Sequence, residues 1–252
     1  MQDPDLQNKL STDQIGAFYH DVFVEDQTQH FITLTDLSVD ERKLVVDIGG
    51  GCGFFAQRLF ELTHHSVRVF DMDAASIEAC RKIGVDAELG DALAPAIHGD
   101  EEIICFNLIL HHLIGRTEKI TLDLQRKAIM VWRNQARSVF INEYIYESYL
   151  PNFSGWLIFQ ITKSRLLSWF GRKLSMVVPS FKANTFGVGV RFRSHNEWTR
   201  IFESSGYVVK DRVIGREERV SAPLRLLLIK NIRRDSFLLQ PASNFKTATV
   251  DL

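Results

Sequence analysis

Cysteine is scarce in this chain: Cys52, Cys80 and Cys105 are the only three among 252 residues. Three scattered thiols build neither a disulfide framework nor a zinc cluster, and no metal is implied elsewhere. Long apolar runs are missing too, since none reaches the ~18 residues of a membrane-spanning helix. The stretch "MQDPDLQNKL" has neither the positive region nor the apolar region of a secretory signal. A cytoplasmic setting is the expectation, with the cysteines as small core residues. Charge of one sign is also absent. A net charge of −1 gives no whole-molecule attraction to nucleic acid or to an anionic membrane, so any basic patch must be local. No internal repeat or low-complexity segment occurs.

What is present is a chain of ordinary soluble composition, 45% apolar and 24% charged, with eighteen Phe and four Trp that imply a large interior or an aromatic-lined pocket. Its glycines are unevenly spread. Gly49, Gly50, Gly51 and Gly53 fall within five positions, directly after the apolar strand pattern "LVVDI" and before the helical pattern "FFAQRLFELT". Glycine is entropically costly, so such a cluster points to a sharp backbone bend that something approaches closely.

Downstream, strand patterns "SVRVFDMD", "DAELGDAL", "EEIICFNLIL" and "SVFINEYIY" alternate with helical ones. That alternation predicts βαβ units and a mostly parallel, doubly wound α/β sheet. Residues 148–192 fit no such alternation and read as an insertion. Regularity returns with a helix started by the capping box of Ser194 and Glu197, then a strand, then a last strand at "APLRLLLIKNI". The predicted organisation is a helical cap over 1–40 and one domain over 41–252 carrying the insertion 148–192. "KNIRRDSF" reads as a solvated turn.

In a doubly wound sheet, ligands bind at the carboxyl ends of strands. Asp47, Gly49, Gly51 and Gly53 write D-x-G-x-G-x-G at the first such end. The overlapping G-x-G-x-x-A of Gly51, Gly53 and Ala56 would suit a dinucleotide, but an acid beside the turn repels a diphosphate and attracts an ammonium. Asp71, at the second strand end, can accept both ribose hydroxyls; Asp91, at the third, can accept from an adenine amino group. The set reads as adenosine with an amino-acid tail.

"VVDIGGGCG", "VFDMD", "GDAL" and "FNLILHHLIG", followed by "FINEYIY" and "RFRSHNEWTRIFESSGY", together resemble the class I S-adenosylmethionine-dependent methyltransferases over roughly Leu44 to Ile232. The resemblance implies a Rossmann-like seven-stranded sheet with an antiparallel last strand. It also implies S-adenosyl-L-methionine as cofactor, with S-adenosyl-L-homocysteine as product. Asp47 and the glycine turn would hold the methionine moiety, Asp71 the ribose, and Asp91 with Ala92 the adenine. Met72 would pack on the base, and Asn107 would lie near the sulfonium. Tyr19, in an N-terminal helix that folds over the cofactor in many relatives, either meets the cofactor carboxylate or is core.

On the acceptor side, His111 and His112 follow the fourth strand and Glu143 ends the fifth; these are the candidate base and substrate anchor. If 110–112 were α-helical, the two imidazoles would diverge by about 100° and only one could face the methyl. His195 reads as part of a cap, and His64 and His65 as a helix end. The insertion, with Trp156, Phe159, Trp169 and Phe170 among Lys163, Arg165, Arg172 and Lys173, leaves three readings open. It is a lid over a hydrophobic small-molecule acceptor, a membrane-lying helix over 153–173, or a homodimer surface or added core. No nucleic-acid module is visible. The expected activity is methylation of a hydrophobic or aromatic small molecule, most simply at oxygen. The alternatives are a nicotinamide-dependent oxidoreductase and a non-catalytic adenosine-binding protein of the same fold.

Overall fold

Val45, Val46 and Ile48, like Ile103, Ile104, Cys105 and Phe106, are buried whichever way they point, as central strands covered on both faces must be. The computed structural model describes residues 22–35, 44–164 and 189–243. In chain order the elements are α1 (Val22–Thr35), β1 (Val45–Ile48), α2 (Phe54–Thr63), β2 (Val67–Asp71), α3 (Ala74–Lys82) and β3 (Asp86–Leu89). There follow β4 (Ile103–Asn107), a 3₁₀ turn (Leu110–His112), α4 (Glu118–Met130), β5 (Ser138–Ser148), α5 (Phe153–Lys163), α6 (His195–Ser204), β6 (Tyr207–Val213), the short α7 (Ala222–Arg225) and β7 (Ile229–Pro241).

The seven strands form one sheet in the order β3-β2-β1-β4-β5-β7-β6. All neighbours from β3 to β5 are parallel, while β7 runs antiparallel to both β5 and β6. The predicted fold class is therefore the observed one. Strand order reverses between β1 and β4, the position where open α/β sheets take their ligands.

Alternation along each strand sends apolar side chains into two cores. One lies under α1, α2 and α3 and includes Phe31, Phe55, Leu59, Ile77 and Phe140. The other lies under α4 and α6 and includes Leu124, Ile129, Trp132, Trp198 and Phe202. Helix starts follow their caps: Asp73 accepts from Ser76 N at 2.8 Å, Thr117 from Ile120 N at 3.2 Å, and Ser194 with Glu197 forms the expected reciprocal box.

Two expectations change, and one open reading narrows. The last strand begins at Ile229, not at Ala222, and runs through Arg233, Arg234, Asp235 and Ser236. Those residues broke the apolar alternation, so "KNIRRDSF" looked like a turn; in the fold each meets a polar partner within the sheet or its cover. Residues 110–112 form a 3₁₀ turn, and His111 and His112 do not diverge: their ring centroids are 4.2 Å apart. Phe159 of the insertion is fully buried on α5, which agrees with the added-core reading for that residue. Tyr19 and residues 165–188 lie outside the described residues.

α1 is tied to the sheet by Phe31, whose ring meets Phe55 at 5.8 Å and Phe140 at 5.2 Å, both edge-on. Gln27 Nε2 donates to Asn142 Oδ1 at 3.3 Å, and His30 Nδ1 lies 3.0 Å from Ser236 Oγ. Phe31→Ala is expected to cost about 3–5 kcal/mol, as for other fully buried aromatics, read as a lowered midpoint in urea denaturation. A loss near zero would mean that α1 is not part of the cooperative unit.

Candidate cofactor and acceptor site

At the carboxyl edge of β1, Asp47 is completely buried. Its Oδ1 accepts from Asn107 Nδ2 at 3.0 Å, whereas Oδ2 has no hydrogen-bond partner and no solvent contact. Burial, against the opposing Asn107 hydrogen bond and reinforced by the Asp71 charge, pushes the Asp47 carboxyl up to about 7. Asn107 Oδ1 is likewise buried without a partner. Two polar acceptors thus stand unsatisfied beside each other, an arrangement that costs stability until a donor arrives.

The glycines above them have separate reasons. Gly49, Gly51 and Gly53 all take positive φ. A β-carbon on Gly50 would collide with Asp47 Oδ2, so the bare backbone lets the turn close over the carboxylate. At Gly51 (φ 54) an added β-carbon would meet nothing within 4 Å. That is the open face of the turn.

Asp71 at the end of β2 fastens the turn to its neighbour. Its Oδ2 accepts from Gly51 N at 3.0 Å and its Oδ1 from Asp73 N at 2.8 Å. Burial raises its pKa above the usual carboxylate value, with those backbone N–H groups opposing. Each carboxylate oxygen retains a second lone-pair site. Met72, 39% exposed, follows it, and Leu89 at the end of β3 is 59% exposed; both are apolar surfaces at the same sheet edge. Asp91 Oδ1 accepts from Leu93 N at 2.8 Å, closing a turn in which Ala92 is half-buried. Asp47, Asn107 and the glycines are thus brought together, with Asp71 joined to them through Gly51; Met72, Asp91 and Ala92 lie farther along the same edge.

On the other side of the reversal point, β5 outruns β4. Their pairing stops at Asn107 and Asn142, while β5 continues to Ser148 alongside β7. The chain leaving β4 turns through Leu108, held in a left-handed conformation (φ 56), into the 3₁₀ turn. There Glu143, fully buried, accepts from Leu110 N at 2.7 Å through Oε1 and lies 2.6 Å from His111 Nδ1 through Oε2. An ionised Glu143 accepts a hydrogen bond from Nδ1–H, the tautomer whose lone pair is on Nε2. His111 is flanked by Phe192 at 5.0 Å and Tyr144 at 6.0 Å between centroids, and Tyr146 stacks on Phe192 at 4.1 Å. Burial, reinforced by nearby His111, drives the His112 pKa well down. Burial likewise raises the Tyr144 hydroxyl to about 12.

The place vacated by β4 is taken by residues 190–193. Tyr146 N donates to Arg193 O and Arg191 N to His111 O, both at 3.0 Å. Two buried guanidiniums fix this strap. Arg191 binds Glu118 and Glu197, each at 2.9 Å, and Arg193 binds Glu118 at 3.0 Å and Gln125 Oε1 at 2.7 Å. Gln125 Nε2 in turn donates to Leu110 O at 3.0 Å. Phe192 falls among the aromatics of 148–192 expected beside the acceptor, whereas Gln125, Arg191, Arg193 and Tyr144 were not expected there. Arg191 and Arg193 stand in "RFR" immediately before the capping box, where nothing local marks them as buried. His195, expected only as a cap, also lies 2.7 Å from the buried Asp235.

No protein-family model matches the chain, and no curated protein matches it. Solved structures share its fold. An S-adenosylmethionine-dependent methyltransferase from Clostridium acetobutylicum superposes with a TM-score of 0.55 at 11% identity, covering 91% of this chain and 95% of that one. The MccD protein gives 0.54 at 10% identity, over 86% and 96%. Mitomycin 7-O-methyltransferase MmcR gives 0.53 at 14% identity over 88% of this chain, which spans 54% of that longer protein.

The folded chain holds the Asp47 proton to about pH 7, while an unfolded aspartate releases it near pH 4. Between those values the native state binds the extra proton, so stability falls as pH rises and the penalty is complete above the folded value. Asp47→Asn should therefore shrink the loss of urea midpoint between about pH 4.5 and about pH 8 in the ligand-free protein. An unchanged loss would place the titration elsewhere.

Proposed function

We propose that the protein is an S-adenosylmethionine-dependent methyltransferase acting on a hydroxyl of an apolar, aromatic small molecule. The observation that carries the reading is the pair of unsatisfied acceptors, Asp47 Oδ2 and Asn107 Oδ1, at a bare glycine turn. An α-ammonium group supplies the N–H donors that both lack, and its charge favours the ionised form that burial opposes. A diphosphate would supply neither and would be repelled by Asp47, which argues against the nicotinamide-dependent alternative. The fold shared with methyltransferases agrees with this reading.

In this account Asp47 and Asn107 receive the amino-acid end of the cofactor, and the backbone at Gly51 lies against it without steric hindrance. Asp71, already oriented by two backbone N–H groups, accepts the ribose hydroxyls through its free lone pairs. Met72 and Leu89 offer apolar surface to the base, and Asp91 accepts from its amino group. Once bound, the cofactor supplies a methyl group on a sulfonium leaving group. The protein then has to align acceptor and methyl, which accounts for several kcal/mol of acceleration. His111 Nε2 takes the proton of the acceptor hydroxyl as general base. Glu143 holds the ring and stabilises the imidazolium, as carboxylates do behind catalytic histidines generally. Phe192 and Tyr144 form the aromatic walls beside His111. His112, half-buried beside His111, supports the turn.

Isothermal titration with S-adenosylmethionine is expected to show binding, and titration with NAD none; binding of NAD alone would overturn the assignment. Asp71→Ala should weaken cofactor affinity by about 1–3 kcal/mol through lost charge-assisted hydrogen bonds, and unchanged affinity would remove Asp71 from the site. For the base, His111→Gln should lower kcat by about 10²–10⁴-fold while cofactor affinity holds. Full turnover by that variant would exclude His111 from the proton transfer.

A further inference from the structure

Beyond the sheet edge, the β5–β7 ribbon carries a small third core of Val220, Ile229 and Ile232, against which Tyr144, Tyr146, Ile158, Leu224 and Leu227 pack. Its outer surface is made by two segments stitched together. Tyr149 N donates to Leu228 O at 3.0 Å and Ser154 Oγ to Leu227 O at 2.7 Å. On this surface Tyr149 is 62% exposed, Leu150 53%, Trp156 41% and Leu226 80%. Large apolar side chains this open, grouped at one end of a domain, mark an interaction surface.

The charge pattern is one-sided. No acidic residue occurs between Glu147 and Glu197, nor between Glu218 and Asp235, so both segments that build the surface lack acids. Arg225 and Lys230 are exposed beside Leu226. Glu217 and Glu147 stand at its border, bonded to Asn231 and Arg233, so the cations are the charges within the two segments themselves. A second copy docked through a two-fold axis would set this cationic face against itself. An anionic bilayer complements it: Trp and Tyr rest at the headgroup level, leucines enter the acyl boundary, and the cations meet lipid phosphates.

We propose that this face, Tyr149, Leu150, Trp156 and Leu226 with Arg225 and Lys230, docks on an anionic membrane surface. Its core includes Tyr144 and Tyr146, the side chains next to His111 and Phe192, so an apolar acceptor dissolved in the bilayer is presented at the site. That consequence rests on the methyltransferase reading; the docking itself does not, and it is measured without turnover.

The test is co-sedimentation of the full chain with vesicles of phosphatidylcholine alone and of phosphatidylcholine mixed with phosphatidylglycerol. Binding is expected to the mixed vesicles and to weaken with added salt. Arg225→Ala and Lys230→Ala should each lower partitioning about fivefold, and Trp156→Ser with Leu226→Ser at least about tenfold. Thermal melting and S-adenosylmethionine titration check that the variants remain folded. Absence of binding to either vesicle overturns the proposal, as does binding that none of these variants alters. A concentration-dependent dimer abolished by Trp156→Ser with Leu226→Ser assigns the face to a second copy and also overturns it. Vesicle binding by a chain that fails to bind S-adenosylmethionine would keep the docking face and reject the methyltransferase reading.

Discussion

Desolvation of a single carboxylate organises the glycine turn at the carboxyl edge of β1. Asp47 sits on a strand covered from both faces, and one of its oxygens is hidden with nothing to bond. Such a group is tolerated only where the surroundings permit no alternative position and where a ligand restores what burial removed. The glycine turn follows from that constraint. Gly50 cannot carry a side chain because Asp47 occupies the space, and Asp71 holds the turn down through Gly51 N. The acid, the missing side chains and the second acid form one device, which in the proposed reading favours a cationic, phosphate-free ligand.

The acceptor end is built on the same principle with the opposite outcome. Glu143 and Asp235 stand directly opposite each other on β5 and β7, both fully buried. Like charges in that position destabilise a sheet. Each is therefore met by an imidazole from a distant segment, His111 for Glu143 and His195 for Asp235. Arg233 adds a cation to Asp235 at 2.9 Å. Here the carboxylates are satisfied within the chain, so they fix geometry in place of waiting for a ligand. The rigid His111 turn is one product; the anchored start of α6 is another.

Between these two ends, the different lengths of β4 and β5 create the working space. Had β4 continued, its backbone would occupy the position of the strap 190–193, and His111 would have no turn to sit on. The paired guanidiniums of Arg191 and Arg193 let that strap be buried without a regular strand on its outer side. They cost desolvation, which Glu118, Glu197 and Gln125 offset in part by hydrogen bonding, with one terminal nitrogen of Arg193 left without a partner.

The parallel sheet, the helix starts and the cluster at β1 were legible in the amino-acid order because each is local. A strand buried on both faces reads as an apolar run, a cap as Ser with Glu three residues on, and a sharp turn as glycines after an acid. The order of residues alone thus determined the fold class and the three acids along the sheet edge. It did not reveal that Asp47 and Asn107, sixty positions apart, share a hydrogen bond that leaves one acceptor open on each. Nor did it show that "IRRDSF" is a strand or that Gln125 and Arg193 hold the His111 turn. These facts depend on partners distant in the chain, and a polar side chain carries no sign in its own neighbourhood of whether such a partner exists. Only packing brings the partners together, so only the tertiary structure could decide them.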